Sequence, residues 1–358
     1  MSNLSSFIGL LKAFVLSNPL LWACCAVSFL VSVILIPCVI RVCTKRQWFD
    51  SVNERKIHKG QVPRLGSIGF VAGFAVGCFI FIVADKDSGM VFMPLIFAGL
   101  LIFAFGIADD MLDLNAFFKL LVQCVAALII VMNGYTFSRF FSFELPRPLD
   151  SVFTFFWIIG IINAYNLIDG LDGLCGGLSV LTVFTYGIIF TQAPGCYAAV
   201  CLILVASVAG FLLYNRPRAR IFMGDGGSQF LGFVIAVLPL FRTTANFEQK
   251  KLLIALNLVS VPMFDCIAAI WRRTREHRGI MSPDREHLHH KLMNLGLSGP
   301  QILALLLAIQ AFLCICTGIS MGIKTVHADI FLVAVFVCMF VFFSAVHYAN
   351  QAKMRAKS

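Results

Sequence analysis

The sequence runs in solid apolar stretches, each about as long as a membrane is thick, and this constrains its fold more than any other feature. A hydrocarbon core about 30 Å thick takes roughly 20 helical residues per crossing. Breaks at charges and at Gly/Pro clusters place spans near 20–43, 66–83, 90–108, 117–133, 151–168, 174–192, 196–214, 228–241, 252–271, 300–322 and 329–349. The stretches are continuous rather than alternating, which excludes a transmembrane β-barrel. At 59% apolar, 13% charged and a mean hydropathy of +0.90, the chain also lies far from soluble domains, which are about half apolar and about a quarter charged. The expectation is an all-α polytopic membrane protein of about eleven transmembrane helices, forming one integral-membrane domain over residues 1–358.

Loop charge orients that frame. A net charge of +10 would suggest anionic partners in a soluble protein, but in a membrane protein basic residues first mark cytoplasmic loops. If 44–65, 109–116, 169–173, 215–227, 272–299 and the C-terminal tail are inside, all but eight of the 28 Lys and Arg fall there. The exceptions are Lys12, Lys86, Arg139, Arg147, Arg242, Lys250, Lys251 and Lys324. The N-terminus is therefore predicted outside and the C-terminus cytoplasmic. Lys12 alone precedes the first run, without the basic region and cleavage site of a signal peptide, so that run should stay in the mature protein. Acidic residues gather on the same face, 12 of 18 of them, which the positive-inside rule does not require. Ionisable residues at span ends are functional candidates. The 13 cysteines are scattered without CxxC or Cys/His spacing, and read as small buried hydrophobes.

Four constellations could carry chemistry. Asp109-Asp110-Met111-Leu112-Asp113 closes the third run and Lys119 opens the next; adjacent carboxylates suit a site that recruits a cation or shares a proton, and Asp109 and Asp113 would share a helical face. A solvated loop with a carboxylate cap would look the same. Asn163, Asn166, Asp169 and Asp172 recur every third position at the foot of a span, so a helix would carry them as one slowly drifting stripe of oxygen ligands. Helix-to-helix glue is the bland alternative. The turn Phe222-Met223-Gly224-Asp225-Gly226-Gly227-Ser228 could present backbone N–H groups to phosphate and an oxygen to Mg²⁺, although a glycine connector between spans is equally simple. In the longest loop, Arg285, His287, His289, His290 and Lys291 stand together; cations among histidines favour phosphate over a second metal, and Arg272 to Arg278 suit lipid headgroups. The first loop, with Lys56 and His58, could serve topology alone. Asp265, about two turns before Arg272, is costly in lipid, and it either forms a structural salt bridge or helps to order the site.

Taken in order, these motifs resemble the polyprenyl-phosphate N-acetylhexosamine-1-phosphate transferases over nearly the whole chain. The likeness rests on RKIHKGxVPRLGxxG at 55–69, DDxxD at 109–113, NAYNLIDGLDGL at 163–174, FMGDGGS at 222–228 and SPDREHLHH at 282–290. Gly226 departs slightly from the commoner spellings of the fourth motif. The last motif is more similar to WecA-type enzymes, which transfer GlcNAc-1-phosphate to undecaprenyl phosphate, than to the MraY type, where three consecutive histidines usually stand and Leu288 intervenes here.

The resemblance implies Asn166 and Asp225 as Mg²⁺ ligands, with Mn²⁺ a possible substitute, and Lys119 as the lysine gripping a diphosphate. Asp109 and Asp110 would be the catalytic pair. Arg285, His287, His289 and His290 would contact the sugar-nucleotide phosphates, Asp169 and Asp172 would lie in the nucleotide and metal neighbourhood, and Lys56 and His58 would be further substrate contacts. Implied partners are UDP-GlcNAc, undecaprenyl phosphate, membrane lipid and a second copy in a homodimer, with no nucleic acid. The implied products are undecaprenyl-diphosphate-GlcNAc and UMP, the start of a cell-surface polysaccharide of O-antigen or enterobacterial common antigen type, made at the cytoplasmic face of a bacterial inner membrane. The chemistry expected is single displacement, with Asp109 assisting deprotonation and Asp110 orienting Lys119 or the metal.

Two other classes compete. A transporter would place charges near the midplane and show paired repeats, whereas here charge gathers at span ends and no repeat is evident. A scaffold binding lipid headgroups would account for the basic loops but not for the Asn/Asp stripe. Within the enzyme class, the donor could be another UDP-N-acetylhexosamine or UDP-MurNAc-pentapeptide.

Overall fold

The computed structural model describes residues 17–49, 62–140, 143–193, 196–277, 279 and 287–356, with the side chains of 86–91 left out of the description. In lipid every backbone N–H and C=O must be paired within its own segment, so the apolar runs become helices. They are α1 Pro19–Arg46, α2 Ser67–Ala84, α3 Lys86–Leu112, α4 Ala116–Met132, α5 Arg147–Ile168, α6 Leu174–Phe190, α7 Tyr197–Asn215 and α8 Asp225–Val237. There follow α9 Ala245–Leu258, α10 Ser260–Arg275, α11 Leu288–Asn294, α12 Gly299–Met321 and α13 Thr325–Arg355. Among the described residues, seven helices are long and apolar enough to cross a membrane, or eight when α9 and α10 are counted as one bent span, and α4, α6 and α8 are shorter apolar helices. The chain is an all-helical, multi-pass membrane protein. A two-stranded antiparallel hairpin, β1 Arg139–Phe140 with β2 Phe143–Glu144, and the short helix α11 had no counterpart in the hydropathy pattern.

One run departs from a simple span. Where 252–271 reads as one helix, α9 and α10 meet at a 62° bend. Pro262 lacks an N–H and its ring crowds the carbonyl four residues earlier, which is Leu258. That orphaned carbonyl accepts instead from Gln310 Nε2 of α12 at 2.9 Å and from Thr182 Oγ1 of α6 at 3.4 Å. Asn257 Nδ2 reaches the Leu332 carbonyl of α13 at 3.1 Å. The broken backbone is thus satisfied by neighbouring helices.

The centre of the bundle is α8. Every residue from Gly226 to Val237 is buried, as an apolar helix with no polar face must be, and it packs between α3 and α5. The approach of α3 is close enough that a Cβ on Gly106 would stand 2.3 Å from the Gly226 Cα, so only glycine fits at that crossing. The result brings the end of α3 directly onto the first turn of α8. Asp113, in a left-handed conformation at φ 48°, stops α3, and the Asn115 side chain accepts the Phe117 N–H at 3.0 Å to start α4. Lys119 therefore sits one turn into α4, facing the same place.

Candidate active site

The catalytic candidates converge at one end of the bundle. Lys119 Nζ pairs with Asp109 and, at 3.0 Å, with Asp225 Oδ2. Asp109 is only 5% exposed, and its other carboxylate oxygen accepts the Leu114 N–H at 2.9 Å. Asp110 turns the other way, accepting the backbone N–H groups of Asp225 at 2.9 Å and Gly226 at 3.1 Å. The first-turn donors of α8 that were expected to face a phosphate are therefore taken by Asp110, which completes the helix terminus as a cap from another helix. The expectation that Asp110 orients Lys119 is thus corrected: the crossing of α3 over α8 gives the lysine to Asp109 and the helix terminus to Asp110. Gly224, at φ +76°, allows this meeting, since a Cβ there would lie 2.4 Å from Asp110 Oδ2 and 2.3 Å from the Arg64 carbonyl.

The loop ahead of α2 completes the turn. Phe222 donates its N–H to the Pro63 carbonyl at 2.8 Å and accepts from Gly66 at 2.9 Å, while Ser67 donates to Met223 at 3.2 Å. This ladder brings Arg64 into the carboxylate cluster, a residue whose importance lay hidden in a motif explicable by topology. Lys56, His58 and Arg285 lie outside the described residues.

The Asn/Asp stripe is corrected. Helix α5 ends at Ile168, so it carries Asn163 and Asn166 only; Asp169 caps it and Asp172 lies in the following turn. The glycines at 170 and 173 account for this exit from helix. Asn166 Oδ1 accepts from Ser228 Oγ at 2.8 Å, linking α5 to the first turn of α8. Asp172 is buried and accepts the Ala219 N–H at 3.0 Å, which braces the loop that leads into Gly224. Burial, then the negative charges of Asp225, Asp110 and Asp172, push Asp169 up to about 7, against the opposing charge of Arg64. Asp113 likewise leaves its expected helical face, because its left-handed backbone turns the exposed residue out of α3.

A layer of amides lies one turn deeper on the same three helices; the sequence pattern named Asn163 but missed Gln123 and Gln229. Asn163 Nδ2 donates to Gln123 Oε1 at 2.7 Å and Gln123 Nε2 donates to Gln229 Oε1 at 3.0 Å. Gln123 follows Lys119 by four residues, Gln229 follows Asp225 by four, and Asn163 precedes Asn166 by three, so each amide shares a helical face with a site residue. A small open pocket lies beside this layer, lined by Asp109, Lys119, Gln229 and the apolar Ile102, Phe105, Leu114 and Val122.

The histidines come to the site from the far side. His289 is 3% exposed and lies over the loop after α5; a Cβ on Gly170 would stand 2.5 Å from its Cε1. Burial, with His290 and His287 adding, lowers its pKa to about 3 against the pull of Asp265, so at neutral pH it is an uncharged packing ring and not a cation for phosphate. His290 packs on it with ring centroids 4.2 Å apart. His287 Nδ1 stands 3.1 Å from Asp265 Oδ2.

The oxygen-rich donor set is suited to a hard divalent cation. Ser228 ties the Asn166 amide oxygen to the first turn of α8, which Asp225 opens, so an amide oxygen and a carboxylate belong to the same helix start. Among the described residues no three His, Cys, Asp or Glu side chains converge to hold an ion unaided. Mg²⁺ typically takes one or two carboxylates and completes its shell with water and substrate phosphate, and the pair present matches that need.

The class that the fold and site define is a multi-pass membrane protein with a lysine bridging two carboxylates at one end of its bundle, and comparison with known proteins makes it a transferase. Residues 92–242 match the model of glycosyl transferase family 4, a stretch holding Asp109, Lys119, Asn166 and Asp225. The probable undecaprenyl-phosphate N-acetylglucosaminyl 1-phosphate transferase of Bacillus subtilis (strain 168) is 34% identical over 323 residues, 87% of each chain. The undecaprenyl-phosphate alpha-N-acetylglucosaminyl 1-phosphate transferases of Salmonella typhi and Escherichia coli (strain K12) are 31% and 29% identical, over 80% and 76% of each chain. The chain belongs to the polyprenyl-phosphate N-acetylhexosamine-1-phosphate transferases, on the WecA side of that superfamily.

Proposed function

We propose that this protein transfers GlcNAc-1-phosphate from UDP-GlcNAc to undecaprenyl phosphate, giving undecaprenyl-diphosphate-GlcNAc and UMP, as the first step of a cell-surface polysaccharide. Lys119 carries the reading. It bridges Asp109 and Asp225, and with Asp109 it lines a small pocket shared with the apolar Ile102, Phe105, Leu114 and Val122, a combination suited to a phosphate borne on a hydrocarbon chain. The relatives' names supply the sugar and the lipid. Eleven crossings, an external N-terminus, a cytoplasmic C-terminus, a homodimer and a site on the cytoplasmic face of a bacterial inner membrane belong to the same proposal.

The chemistry is a single displacement. A phosphate monoester has a second pKa near 6, so the lipid phosphate is largely dianionic at neutral pH and needs little help from a base. One of its oxygens attacks the sugar-bearing phosphorus, and the bond from that phosphorus to UMP breaks. Lys119 neutralises incoming charge and holds the phosphates in line. Asp109 is already committed to Lys119 and to the Leu114 N–H, which suits a residue that orients the lysine better than a covalent nucleophile. Asp110 holds the first turn of α8, and with it Asp225. Asn166 and Asp225 would hold Mg²⁺, or Mn²⁺ in its place, which when bound supplies neutralisation of the diphosphate.

Purified protein given labelled UDP-GlcNAc, undecaprenyl phosphate and Mg²⁺ should form labelled lipid, and tunicamycin should block it. Label entering lipid only from a different UDP-sugar would replace the donor assignment. Exchange of labelled UMP into UDP-GlcNAc without lipid would overturn single displacement in favour of an acyl-phosphate intermediate.

A further inference from the structure

Asp265 stands in the middle of α10, 2% exposed, where a carboxylate is costly unless it is fully hydrogen-bonded. Both its oxygens go to one short segment: Oδ2 lies 3.1 Å from His287 Nδ1, and Oδ1 accepts the Leu288 N–H at 2.8 Å. These are the residue before α11 and the first residue within it, and α11 has no cap from its own side chains. The His287 ring lies parallel to that of His289, centroids 6.0 Å apart, and His289 in turn rests on Gly170. A continuous line of contact therefore runs from Asp265 to the loop that holds Asp169.

We infer that Asp265 is a positioning residue for nucleotide-sugar binding: it accepts the Nδ1–H of His287 and so fixes the ring with its Nε2 edge turned to the nucleotide sugar. This rests on reading the histidine segment as a diphosphate contact. Capping alone needs only an acceptor for the Leu288 N–H, whereas fixing the ring needs a second acceptor for the His287 Nδ1–H. Asp265→Asn separates the two tasks, because its amide oxygen can still accept the Leu288 N–H while its NH₂ cannot accept from His287.

The test is steady-state kinetics on the full-length protein in detergent. Asp265→Asn should raise KM for UDP-GlcNAc about 10-fold and leave KM for undecaprenyl phosphate within about twofold. In a His287→Ala background the same substitution should add less than about twofold, because the residue it acts through is gone. An unchanged KM for UDP-GlcNAc in Asp265→Asn, or an effect that multiplies in full on His287→Ala, overturns the inference while leaving the diphosphate reading intact. A His287→Ala variant with unchanged KM for UDP-GlcNAc overturns both. Should Asp265→Asn fail to fold, ¹⁵N-histidine spectra of the unaltered protein decide, with the His287 signal assigned by its loss in His287→Ala. A protonated Nδ1 supports the inference, and a bare Nδ1 overturns it.

Discussion

Asp110 gives the sharpest test of whether an acidic residue at this site acts on substrate or on the frame. Its carboxylate accepts two N–H groups, from Asp225 at 2.9 Å and Gly226 at 3.1 Å, which are otherwise orphan donors at the start of α8. A hydrogen bond to a charged acceptor contributes about 1.5–3 kcal/mol. The site is half-buried, so the lower figure applies to each bond, and Asp110→Ala should cost about 3 kcal/mol. Asp110→Asn keeps one acceptor and should cost about half of that. At roughly 2 °C per kcal/mol for a chain of this size, the apparent Tm should fall by about 6 °C and about 3 °C respectively. Activity should fall with it, since the loosened turn carries Asp225. The assay pairs thermal unfolding in detergent with lipid-product formation on the same samples. An Asp110→Asn protein of unchanged Tm but without turnover would refute the capping argument and place Asp110 in the chemistry.

Lys119→Met should lower kcat/KM by at least about 100-fold by leaving Asp109 and Asp225 unopposed where two anions must meet; a value near wild type would remove Lys119 from the site. Gly170→Ala puts a methyl 2.5 Å from the His289 ring, and should raise KM for the nucleotide sugar by lifting α11. An unchanged KM would mean that the ring does not rest there in solution. Asp169 has a folded value of about 7, above its ordinary 3.8, so it favours the fold when protonated and this contribution is lost as pH rises through 7. In metal-free buffer, Asp169→Asn should therefore be more stable than wild type near about pH 8, and the gap should close as pH falls toward about 4. A gap that widens on acidification would contradict the assigned shift.

Much of this molecule was legible before any coordinates. Apolar run length alone located the seven helices that, among the described residues, are long and apolar enough to cross a membrane, because a backbone in lipid has few alternatives to helix. Chemistry-bearing residues at span ends marked separate candidates, and the family resemblance implied that Asp109, Lys119, Asn166 and Asp225 act together. The amide layer was not legible: Gln123, Gln229 and Asn163 lie far apart in sequence, and nothing local says that their helices face one another. Nor was the division of labour between Asp109 and Asp110. Neighbouring carboxylates look alike in sequence, and only the crossing of α3 over α8 at Gly106 and Gly226 sends one to a lysine and the other to a helix terminus.

The Asn/Asp stripe failed for a related reason. Periodicity at every third residue is compatible with helix but does not enforce it, and the glycines at 170 and 173 release the chain before Asp169. Asp265 was recognised as costly without its partner being nameable, since His287 is 22 residues away. Local composition and the solvent thus settle what is helical, what is buried in lipid and which residue types gather at the bundle's end, because those depend on transfer free energies summed along the chain. Which carboxylate meets which partner is decided only by the packing of helices distant in sequence, because hydrogen bonds and ion pairs act over about 3 Å and depend on where two backbones cross.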